Sequence, residues 1–207
     1  MSANIAVQPV PIPHLIGTIA GLEFCARSMP SLACDRWLSD QGVDVRDAVN
    51  VAGPIIPHDV ILMPRGIFSF ADDGNGVTAI VMMVAAVNGE SVQDLIAWEP
   101  MRPRRVFRYL GAADALGLDQ LGNPASYLDG QALPVHLSPL DWLKAGCTGI
   151  VVLDRAAFRQ RVHNLSPRAG GYRLLAANLP HARALRTMLG PFSAHAKLYV
   201  READLFS

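Results

Sequence analysis

Lysine is almost missing from this chain: only Lys144 and Lys197 stand among its 18 basic residues, and the rest are arginine. Cysteine is scarce as well. Cys25, Cys34 and Cys147 form an odd, scattered set, which excludes a disulfide framework and fits a reducing compartment. No Cys-x-x-Cys pair and no His-Glu-x-x-His run occurs, so no metal site is expected. Neither GxGxxG nor GxxxxGK followed by Ser or Thr is present, which excludes the two common nucleotide cradles and leaves no cofactor to expect. Long apolar runs are also lacking. The longest, Ala79 to Val87, falls far short of the ~20 residues of a membrane-spanning helix. The start of the chain has no Lys or Arg ahead of its apolar residues and carries Pro9, Pro11 and Pro13, so it is expected to be an extended arm and not a secretory signal. A soluble, cytoplasmic protein with no membrane partner is the expectation.

What is present is apolar matter enough for a core. Half of the 207 residues (51%) are apolar, and a chain of that length buries enough surface to fold without disulfide or metal staples. The net charge of zero conceals a division. Residues 1–100 hold four arginines against eleven acids, whereas residues 101–207 hold fourteen basic residues against seven acids. The two halves either attract each other or offer a basic face to a polyanion. One domain over residues 1–207 is expected, with a subdivision into an acidic half, 1–100, and a basic half, 101–207, as the alternative.

Periodicity and turn chemistry predict an α/β to α+β fold built on a mixed sheet. Residues 14–40 read as helical, interrupted at Pro30, with Trp37 and Leu38 packed into the core. Over residues 65–98, three β-rich runs are separated by Asp72-Asp73-Gly74-Asn75-Gly76 and by Asn88-Gly89, which predicts a three-stranded antiparallel meander. Its middle run is apolar at nearly every position, as for a strand covered on both faces. The run AADALGLDQL, residues 112–121, reads as a short helix. Beyond Gly130 strands and helices alternate: strands near 133–137, 149–153, 172–177 and 196–201, with helices started by Ser138, Asp154 and Asn178. Such alternation predicts a partly parallel sheet.

Three groups of residues are candidates for function. Arg102, Arg104, Arg105 and Arg108 interleave with Phe107 and Tyr109; arginine supplies phosphate contacts and aromatic rings supply stacking, a pairing used on single-stranded nucleic acid. If VFRYL is a strand, however, Phe107 and Tyr109 share one face while Arg108 lies on the other, and a solvated loop with its aromatics in the core explains the run equally. Ser138, Asp154 and Asn178 would stand at the C-terminal ends of parallel strands, where helix N-termini attract anions, although capping alone accounts for all three. Cys147, in AGCTG, would need a histidine base to act as a nucleophile. The spacing of His136, His163, His181 and His195 selects none, and a small residue in a tight turn is the simpler account. His58 and Asp59 adjoin in a strand and so point to opposite faces.

The stretches DLIAWEPMRPRRVFRYLGAADALG, PLDWLKAGCTGIVVLD and LLAANLPHARALRTMLG, spanning roughly residues 94 to 190, resemble uncharacterised proteins of bacterial prophages and mobile elements. The resemblance implies a genomic setting, phage-related or DNA-related, and no activity or site residue. Two function classes remain open on the sequence. The first is a non-catalytic accessory or interaction protein partnered by nucleic acid or another protein. The second is a small enzyme acting on a phosphorylated or nucleotide-like ligand at the helix N-termini.

Overall fold

The computed structural model describes residues 20–22, 24–25, 31–71, 74–87, 91–164, 172–190 and 196–200. The proline-rich start and most of the run 14–30 lie outside them, as do the Asn88-Gly89 turn and part of the Asp72–Gly76 turn. Residues 20–22 and 24–25 are helical, and two further helices follow. Helix α1, Leu32–Asp40, begins where the Ser31 side chain accepts the Cys34 N–H, and helix α2, Val45–Ala52, where the Asp44 carboxylate accepts the Asp47 N–H. Leu38 is fully buried and Trp37 packs partly into the same cluster, as the sequence predicts. Gly53, at φ 76°, ends α2.

Five strands then close a small barrel: β1 (Ile55–Met63), β2 (Ile67–Phe70), β3 (Val77–Ala85), β4 (Val92–Trp98) and β5 (Val106–Arg108). Their order is β1-β2-β5-β4-β3, and every neighbour is antiparallel except the β2–β5 pair. This corrects the expected meander. β3 and β4 do pair as neighbours, but β2 does not pair with β3, because β1 lies between them. The nine residues of β1 serve both: Ile55 to Val60 pair with β3, and Val60 to Met63 with β2. Val60, Phe68, Val81, Leu95, Ala97 and Phe107 fill the barrel. The alternate residues of the same strands, Ile80, Met82, Ile96 and Trp98, face outward into a second cluster with Leu38 and Trp142. The apolar middle run is thus covered on both faces, as expected.

The second sheet contains β6 (Ala115–Leu116), β7 (Leu133–His136), β8 (Ile150–Val152), β9 (Tyr172–Ala176) and β10 (Ala196–Val200), in the order β10-β9-β7-β8-β6. The four long-predicted strands are parallel, and β6 joins antiparallel. The chain is therefore α+β, with two sheets in place of the single mixed sheet. Residues 112–121 depart from the predicted helix: they form β6, a left-handed turn at Gly117, and only then helix α3, Leu118–Gly122. A Cβ at Gly117 would collide with the Gly149 carbonyl and lie 3.1 Å from Trp142 Nε1, so a side chain in a continuous helix has no room there.

Helices α4 (Pro139–Lys144), α5 (Arg155–Asn164) and α6 (Leu179–Leu189) connect the parallel strands. Leu140, Trp142 and Leu143 of α4 pack against the barrel, whereas Phe158, Val162, Leu185 and Leu189 of α5 and α6 pack on the opposite face of the sheet. All three begin as the sequence predicts. Ser138 Oγ accepts the Asp141 N–H at 3.1 Å, Asp154 Oδ1 accepts those of Ala156 and Ala157, and Asn178 Oδ1 accepts that of His181.

The joint between barrel and sheet is polar. Asp94, fully buried on the outer face of β4, accepts four backbone N–H groups, from Leu95, Leu110, Ala112 and Ala113, at 2.7 to 3.0 Å. Asp114, next along the chain, pairs with Arg161 of α5 at 2.8 Å. Removing the Asp94 carboxylate strands those donors, each costing on the order of 1 kcal/mol or more when unsatisfied. Asp94→Ala is expected to lower unfolding stability by about 3 kcal/mol or more, and Asp94→Asn by about 2 kcal/mol, read from denaturant midpoints. Ser138→Ala is expected to cost about 0.5–2 kcal/mol on the same measurement, since it removes a buried cap.

Candidate functional site

The connections of the second sheet run in opposite directions from two neighbouring strands. From β7 the chain leaves through α4 to β8 on one side; from β9 it leaves through α6 to β10 on the other. With α4 on one face and α6 on the opposite face, the C-terminal ends of β7 and β9 flank a crevice, the place where ligands bind in open parallel sheets. A cavity of about 500 Å³ lies there.

Its polar lining comes from four separate segments. His136 ends β7, Arg155 opens α5, and Asn178 and His181 belong to the start of α6. The fifth, Arg104, is delivered by the barrel, from the loop between β4 and β5, which is folded by the hydrogen bonds Arg102 N–H to Glu99 C=O and Arg105 N–H to Arg102 C=O. Between these groups the wall is apolar, with Val152, Leu153, Leu185 and Met188. Among the described residues no Asp or Glu lines the cavity. Among the described residues neither Arg104 nor Arg155 has an ion-pair partner.

Arg108 holds the barrel loop against this mouth. Its guanidinium donates to the carbonyls of Gly111 and Ala113 and pairs with Asp154 at 3.0 Å. Asp154 in turn caps α5, and the N–H of Ala157, ahead of the Arg108 charge, holds its carboxyl below the usual carboxylate range. The two imidazoles are tied as well. His136 Nε2 donates to the Thr148 carbonyl at 2.8 Å, while His181 Nδ1 accepts the Ala177 N–H at 3.2 Å. Burial, then the charge of Arg104, then His136 push the His181 imidazole below its ordinary value.

The sequence-predicted residues are thus divided. Of the arginine cluster, Arg104 enters the crevice and Arg102 is exposed, whereas Arg105 lies 5.0 Å over the Phe107 ring and 4.0 Å from Glu99. Arg108 is spent on internal partners. Tyr109 packs on Phe68 and Phe70, both at 5.5 Å, so it offers no stacking platform. Of the three caps, only Asn178 lines the crevice; the Ser138 hydroxyl is buried and donates to Asp141 Oδ2. Cys147 is buried at φ 59° in the turn after α4, and burial pushes its thiol up to about 11, which removes it as a nucleophile at neutral pH. Burial and then Asp35 do the same to Cys34. His136, His181 and Arg155 were not singled out by spacing; their signal is position, each lying within a few residues of the end of a predicted parallel strand.

Comparison of the chain with protein-family models, with curated proteins and with solved structures finds no match. Among the described residues no helix is long and apolar enough to cross a membrane, and no group of three or more His, Cys, Asp or Glu is placed to hold a metal ion.

The depressed His181 gives a signed pH dependence. In the unfolded chain the imidazole titrates near 6.5, and the folded protein takes up that proton only at lower pH, so acid favours unfolding. The stability is fully present above about 6.5 and declines as pH falls from there toward the depressed folded value. Replacing His181 by Gln is expected to flatten the slope of unfolding free energy between about pH 7 and pH 5, measured by denaturant melts across that range.

Proposed function

We propose that the protein is a non-catalytic binding module whose ligand carries phosphate, held in the crevice at the ends of β7 and β9. One observation carries the reading: among the described residues, two arginines without an ion-pair partner and two histidines from separate segments line a cavity that has no carboxylate in its lining. Such a site is electrostatically incomplete. Left empty, it sets like charges side by side; filled by an anion, it provides charge-assisted hydrogen bonds from arginine forks. Asn178 adds a polar side chain, and the apolar wall accommodates the uncharged body of a nucleotide-like ligand. A phage-like or mobile-element setting, implied by the resemblance, and a cytoplasmic location, which suits three free thiols, belong to this proposal. In the enzymatic alternative, a small enzyme acting on a phosphorylated ligand in the same crevice, the imidazole of His136 or His181 would carry the proton, the commonest role of histidine in catalysis.

The experiment is a calorimetric titration of the full chain with inorganic phosphate and with a nucleoside monophosphate. Both are expected to bind, more tightly at pH 6 than at pH 7.5, because an anion in the crevice favours protonated imidazole. Arg104→Gln is expected to weaken both by about tenfold, the loss of one charge-assisted hydrogen bond, with the denaturant midpoint unchanged. No heat of binding at ligand concentrations up to about 10 mM would overturn the proposal.

A further inference from the structure

The crevice does not end at its own wall. A second cavity, of about 520 Å³, lies in the groove between α5 and α6 and is lined by Arg155, Ala156, Arg159, Ala184, Thr187 and Met188. Three of these residues, Arg155, Ala184 and Met188, also line the crevice, so the two spaces adjoin and share a wall. Arg155 and Arg159 are four residues apart on α5 and therefore stand on the same face, one helical turn from each other. Arg159 is exposed and, like Arg155, has no ion-pair partner among the described residues. Among the described residues the second cavity too has no Asp or Glu in its lining.

We infer that the ligand is a single-stranded oligonucleotide whose terminal phosphate occupies the crevice and whose next phosphates run outward along the groove between α5 and α6. The inference rests on the phosphate-binding reading above and names the class of molecule that the whole track fits. The charges are graded in the right order. A terminal phosphate carries up to two negative charges, with its second ionisation near pH 6, and it meets Arg104, His136 and His181; each internal diester carries one, and it meets a single arginine at each step, Arg155 and then Arg159. A mononucleotide would leave Arg159 without purpose. A duplex has no entry to a crevice of this volume, because the site takes one strand's phosphates from within a wall and not from across a groove.

Between the cations the track is apolar, through Leu185, Met188, Ala184 and Ala156. Such a surface covers sugars and base faces without reading base edges. Among the described residues no Phe, Tyr or Trp lines either cavity, so the binding proposed here does not use aromatic stacking and is tolerant of sequence.

The test compares three probes on the full chain by fluorescence anisotropy and competition: an eight-nucleotide DNA strand phosphorylated at both ends, the same strand without terminal phosphates, and a nucleoside monophosphate. The phosphorylated strand is expected to bind about tenfold more tightly than either of the others. Arg159→Gln is expected to remove most of the advantage over the monophosphate and to lower the log–log salt slope by about 0.7, one phosphate contact on a single strand. It should leave the monophosphate affinity within about twofold. Arg159→Lys, which keeps the charge, is expected to retain the slope, and the denaturant midpoint checks that both variants fold. Equal affinity for strand and monophosphate overturns this inference while leaving the crevice reading intact. So does an Arg159→Gln variant with an unchanged salt slope. Failure of the monophosphate to bind, with strand binding indifferent to Arg104→Gln, overturns the crevice reading and this inference with it.

Discussion

The architecture hangs on a carboxylate placed where a charge is expensive. Asp94 sits fully buried on the outer face of a barrel strand, and a buried ion is tolerated only when hydrogen bonds replace its hydration. Four backbone N–H groups do so, and three of them belong to the segment that leaves the barrel for the second sheet. The charge therefore dictates the path of residues 110–113. From that path follow the placement of Asp114 against Arg161 and of the backbone carbonyls that Arg108 grips.

Those neighbours turn a packing joint into the frame of a site. Arg108 bridges the end of the barrel to the cap of α5, and the loop just before it carries Arg104 to the mouth of the crevice. The parallel sheet supplies the remaining groups at the ends of its strands. The site joins the two parts of the fold. The basic half contributes all five polar side chains, but one of them is presented by the barrel, and the barrel is closed by strands from the acidic half. The two ion pairs at the joint, Arg108 with Asp154 and Arg161 with Asp114, both lie within the basic half, so they fix the frame of the crevice without answering the division of charge along the sequence.

Much of the second sheet was legible because its signals are local. Ser138, Asp154 and Asn178 cap helices with their own side chains, and Gly146 follows the end of α4; each needs only the residues beside it. The barrel was less so. Asn88-Gly89 pointed correctly to a β3–β4 pair, but the Asp72–Gly76 turn read as a hairpin although β1 intervenes, since pairing across a closed barrel is fixed by distant strands and not by the turn. The helix expected at 112–121 failed for a tertiary reason as well: the Gly149 carbonyl crowds Gly117, and nothing near Gly117 in the sequence announces it. For the site, the arginine run drew attention to Arg104, but only the strand order brings residues 104, 136, 155 and 181 to one cavity. Asp94 left a trace that went unread, a lone acid in the apolar run VQDLIAW.

The closure of the barrel has a consequence for synthesis. The partners of Asp94 lie 16, 18 and 19 residues further along the chain, and the parallel seam joins Ile67 to Arg108, so a ribosome must have released Ala113 before the carboxylate can leave water. The barrel seam and the burial of the charge thus both wait on the same short stretch of chain, residues 106–113.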